Sequence, residues 1–127
     1  MGAYDTGDSP AAWSEERRDE AIRGMLAMAG EYVVSIADHG IVEDYRRSDR
    51  ELEMRILYRR QHVTVRVLAD WSEDTGLFEF LVSAGPVRHT VLVDAPYAMW
   101  AVFERVYTAA SAAAELIRRA GGGYNDV

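Results

Sequence analysis

The run ELEMRILYRRQHVTVRVLA, residues 51–69, decides the fold. Leu52, Met54, Ile56 and Tyr58 alternate with Glu51, Glu53, Arg55 and Arg59, and Val63, Val65, Val67 and Ala69 alternate with His62, Thr64, Arg66 and Leu68. Successive strand side chains point to opposite faces, so this two-residue period marks two strands with one apolar and one polar face each. So short a link between them makes the strands antiparallel neighbours. Two registers fit. A turn at Arg59-Arg60 sets Glu53 opposite Arg66 and Arg55 opposite Thr64, which mostly neutralises the charges. A turn at Arg60-Gln61 sets Arg55 against Arg66, a like-charge pair that needs an anion.

The same period continues downstream. Phe78, Phe80 and Val82 precede Ala84-Gly85-Pro86, and Val87, Val91 and Val93 follow it, which reads as a second hairpin. Ser72-Glu73-Asp74-Thr75-Gly76 joins it to the first hairpin, so the strands form an antiparallel meander of four to five members. Ile41 to Tyr45 adds a short edge strand or, with the charges from Glu43 to Glu51, a mobile loop spanning residues 41–50.

Helical patterns bracket this middle segment, at about residues 10–38 and 96–120. Ser9-Pro10 offers a capping hydroxyl and a proline where no backbone donor is needed, and Ile22, Met25, Leu26, Ala29, Tyr32, Val33 and Ile36 make one apolar stripe. Asp38-His39-Gly40 ends the stripe, with His39 complementing the helix dipole. Asp94 is positioned to cap the second helix ahead of Pro96. That helix is apolar round much of its circumference, including Trp100, Tyr107 and the alanines from Ala109 to Ala114, so it is expected to meet two partners. One is the sheet; the other is the first helix or a second copy of the chain. The fold class expected is therefore α+β, with one domain over residues 10–120 between a disordered segment 1–9 and a flexible tail 121–127.

Composition excludes several functions. The 127 residues contain no cysteine, which removes disulfides, thiolate metal sites and thiol nucleophiles and suits a reducing cytoplasm. A net charge of −7 opposes general binding to nucleic acid or anionic membranes. All 14 basic residues are arginine, which fits a GC-rich genome such as that of an actinobacterium or its phage. His39, His62 and His89 lack metal-ligand spacing, and no hydrolase elbow or phosphate loop is present. No cofactor is expected.

Three groups of residues stand out as candidate sites. Arg55, Arg59 and Arg66, with His62 near the turn, fall on the outward sheet face and suit an anion or an acidic partner. Trp13, Trp71, Trp100 and Tyr107 are candidate interface residues, although Trp13 and Trp71 serve equally well as caps on the core. Phe78, Phe80, His89, Trp100, Phe103 and Tyr107 are candidates to line a pocket between sheet and last helix, with His89 opposite Phe80 if Val82 pairs with Val87. The expected architecture broadly resembles small dimeric secretion chaperones and other α+β binders, a likeness of shape that no motif carries. The function expected is binding of a protein partner, as an inhibitor, an immunity or antitoxin-type factor, a chaperone-like adaptor or a phage protein acting on its host. A homodimer is one form of this. The alternatives are a small-molecule binder or enzyme using the pocket, and an acidic mimic of DNA.

Overall fold

The computed structural model describes residues 9–121, so the expected terminal segments lie outside it except for Ser9 and Gly121. Helix α1 (Glu15–Ile36) leads into strands β1 (Val42–Arg47), β2 (Glu51–Tyr58), β3 (Gln61–Ser72), β4 (Leu77–Ala84) and β5 (Val87–Val93), and helix α2 (Trp100–Ala120) follows. Short 3-10 turns cover Pro10–Ala12, Asp38–Gly40 and Pro96–Ala98. The five strands form one antiparallel sheet in the order β1-β2-β3-β4-β5, a plain meander. The fold is α+β.

Both helices lie on one face of the sheet, where the strands present Leu52, Met54, Ile56, Val63, Val65, Val67, Phe78, Phe80, Val82, Val91 and Val93 to the core. Helix α1 packs over β2 and β3 through Ile22, Met25, Leu26, Ala29 and Val33. Helix α2 covers β3, β4 and β5 through Val102, Val106 and four alanines, whose short side chains let it sit close. The second neighbour of α2 is α1, since Tyr32 and Phe103 stack with ring centres 4.8 Å apart.

Local chemistry moved three boundaries from where the residues alone put them. Pro10 opens only a 3-10 turn; α1 starts at Glu15 because the Ser14 hydroxyl accepts from the Arg17 N–H. Asp94 caps neither Pro96–Ala98 nor α2, and the residue before α2 is Met99, which is already helical. Residues 42–47 are an edge strand, with an irregular step where Val42 faces Ile56 but Asp44 faces Arg55.

The first hairpin takes the neutralised register, with Glu53 opposite Arg66, Arg55 opposite Thr64, and Tyr58 and Gln61 closing the Arg59-Arg60 turn. In the second, Gly85-Pro86 is a two-residue loop closed by Ala84 and Val87. Gly85 supplies the positive φ of 57° that such a loop requires. That register corrects the pairing expected for His89, which faces Val82, while Phe80 faces Val91.

Gly24 lies inside α1 with nothing within 4 Å of where a Cβ would sit. Gly24→Ala should therefore raise stability by about 0.5–1 kcal/mol, since alanine loses less backbone freedom in a helix. Urea unfolding checks this, and an unchanged midpoint would show that α1 draws nothing from its own propensity there.

Candidate functional site

The arginine patch is divided between two faces. Arg55, His62 and Arg66 lie on the outer sheet face, but Arg59 does not join them, because it sits in the turn with φ of 50° and bends toward α2. The edge-strand irregularity makes Glu43 an extra residue opposite Arg55, and such a bulge re-aims a side chain. The Glu43 carboxylate accepts from Arg55 Nε at 3.3 Å and lies 2.7 Å from His62 Nδ1. The His62 hydrogen bond, aided by Arg55, holds the Glu43 carboxyl below the usual glutamate range. Arg66 bridges Glu51 and Glu53 at 3.1 and 3.0 Å. Hydrogen bonding to Glu53, with the charge of Glu51, raises the Arg66 guanidinium. Arg55, His62 and Arg66 are thus each already matched by a carboxylate.

Trp13 and Trp71 close one end of the core. Their rings lie 6.3 and 5.1 Å from that of Phe78, with Arg17 stacked 4.0 Å over Trp13 and Arg18 4.6 Å over Trp71. The pocket expected between sheet and last helix is not assembled. Phe78 and Phe80 are wholly buried packing residues and line no open cavity. His89 lies half-buried on the helix side of β5, and its Nε2 is a buried polar atom with no hydrogen-bond partner among the described residues. Among those residues no group of His, Asp or Glu is placed to hold a metal ion, and no helix is long and apolar enough to cross a membrane.

The remaining candidates converge on the seam between α1 and α2. Tyr97, Trp100 and Tyr107 are 86, 64 and 44% exposed, an unusual display of large aromatic surface on one helix and its lead-in turn. Trp100, Phe103 and Tyr107 join Tyr32 of α1, Glu104, Arg105 and Thr108 around an open groove of about 680 Å³. Tyr32 and Phe103 stack within it, and burial is the main reason the Tyr32 hydroxyl is raised above the usual tyrosine range. Compared with family models, curated proteins and solved structures, the chain matches none.

At the far end of the groove Arg59 acts as a clasp. Its guanidinium donates to the Tyr107 hydroxyl at 2.9 Å and stacks over the Tyr58 and Tyr107 rings. The buried Tyr58 ring is fixed in turn by a 2.8 Å hydrogen bond between its hydroxyl and that of Ser111. The seven-residue spacing of Trp100 and Tyr107 was the sequence signal for this surface. Tyr32 gave none of its own, because it reads as one more member of the α1 stripe. Arg59 was also missed as a groove residue, since two arginines carry no turn chemistry that reveals a left-handed backbone.

Proposed function

We propose that the protein is a non-catalytic binding factor that takes a basic segment with apolar anchors, from another protein, into the aromatic groove beside α2. The exposed Trp100–Tyr107 row carries this reading. Tryptophan and tyrosine are the side chains that most often dominate binding energy, because they desolvate large rigid surfaces. The stacked Tyr32–Phe103 pair gives the groove a preformed wall, which limits the ordering cost on binding. A net charge of −7 steers basic partners toward the molecule. Adaptor, inhibitor and immunity roles all use such a surface, and a cysteine-free chain suits the reducing cytoplasm in which we place it.

The competing readings lose ground on specific residues. A small-molecule pocket under α2 is filled by Phe78 and Phe80. A DNA mimic needs free rows of carboxylates, whereas Glu43, Glu51 and Glu53 are tied to Arg55 and Arg66.

The test is a fluorescence titration with a short amphipathic peptide of leucine and arginine, and with its counterpart in leucine and glutamate. The basic peptide should shift tryptophan emission and saturate with an affinity of about micromolar. Trp100→Ala or Tyr107→Ala should each weaken it by about 2 kcal/mol, roughly thirtyfold. Equal affinity for the two peptides, no saturation, or binding that survives Trp100→Ala would overturn the proposal.

A further inference from the structure

The two edges of the sheet are built differently. On β1 a bulge and the charges of Glu43, Asp44, Arg46 and Arg47 crowd into six residues. Bulges and edge charges are what keep a foreign strand from pairing. On β5 the register is unbroken, no proline interrupts Val87–Val93, and beside Arg88 and His89 the strand holds only valines, leucine and threonine. Since Ala84 and Val87 close a two-residue loop as a hydrogen-bonded pair, alternate residues of β5 bond to β4. Arg88, Thr90 and Leu92 therefore turn their N–H and C=O groups outward.

We propose that β5 pairs antiparallel with β5 of a second copy of this chain, about a two-fold axis at Thr90. In that register Val87 faces the partner's Val93, His89 faces the partner's Val91, and Thr90 faces the partner's Thr90. No like charges meet. The outward groups of Arg88 bond those of the partner's Leu92, which continues the two sheets as one. Charge complementarity favours a second copy over an unrelated strand. Arg88 and Glu79 make no ion pair within the described chain, and Glu79 stands directly across from Leu92. Pairing puts Arg88 in line with the partner's Glu79, two strands away at about 10 Å between Cα atoms, a span two extended side chains close. The two-fold axis makes this contact twice. The surface is separate from the aromatic groove, so the inference does not rest on the proposed function.

Sedimentation velocity on the full chain should show a species of twice 14.2 kDa. Thr90 is exposed, so substitutions there leave the monomer folded. Thr90→Lys and Thr90→Asp each set like charges on the axis and should weaken the dimer by about tenfold or more, whereas an equimolar mixture of the two variants should restore it. Thr90→Cys provides the only thiol in the chain, and at about 5.5 Å between paired Cα atoms dissolved oxygen should oxidise it to a disulfide-linked dimer. Thr64→Cys, on the outer face of the central strand β3, should not. A wild-type chain that stays monomeric, a dimer indifferent to both charges at residue 90, or equal cross-linking at residues 64 and 90 would each overturn the proposal. Indifference at residue 90 combined with sensitivity to Trp100→Ala would move self-association to the groove.

Discussion

Phe78→Ala should lower unfolding stability by about 3–5 kcal/mol. The ring is completely buried near the start of β4, between Trp71 on the neighbouring strand and Trp13 from the turn ahead of α1. Truncation removes the large transfer energy of an aromatic ring and leaves a cavity whose walls belong to three different elements. Those walls do not collapse readily. Arg17 and Arg18 hold the two indole rings from outside, and the Arg18 guanidinium also donates to the Trp13 carbonyl at 2.8 Å. With total stabilities of small domains at about 5–15 kcal/mol, the variant should sit near the limit of folding. Urea unfolding followed by far-ultraviolet circular dichroism measures the loss. A decrease of less than about 1 kcal/mol would mean that the tryptophans fall into the space and that this end of the core is plastic.

Asp38→Ala should cost about 2 kcal/mol although the residue lies near the surface. The Arg59-Arg60 turn holds two arginines at φ of 50° and 67°, a left-handed backbone that disfavours side chains with a Cβ. Hairpins of this length ordinarily place Asn-Gly there. Here the Asp38 carboxylate accepts the Arg59 and Arg60 N–H groups at 3.1 and 2.8 Å, one on each oxygen. A charged acceptor on both turn amides offsets the strain. Arg60→Gly relieves half of it directly and should raise stability by about 1 kcal/mol in the wild type, with part of the Asp38→Ala loss recovered when the two are combined. Thermal unfolding of the four chains forms a complete cycle. Strict additivity would show that the carboxylate and the turn strain are independent.

The strand pattern was legible because burial of one face imposes a two-residue period, and a slip of one residue would turn Val65 and Val67 to water. Charge pairing then chose between the two registers of the first hairpin. What escaped was tertiary. Asp38 meets the turn across twenty-one positions of chain, and nothing local to Arg59 announces a positive φ or its contact with Tyr107. The placement of His89 failed for a smaller reason. Reading Ala84 as part of the loop moved every partner of β5 by one rung pair, when Gly85 and Pro86 alone suffice to reverse the chain. The aromatic row was visible as Trp100 and Tyr107, but its groove exists only because α1 brings Tyr32 alongside.

Because α2 follows the whole meander along the chain and is the main cover of β4 and β5, the order of synthesis matters to this fold. Until α2 emerges behind the meander and docks, Val82 and Val91 have no roof. For the interval before Ala120 clears the ribosome, the nascent chain carries a sticky half-sheet that α2 or a holding chaperone shields.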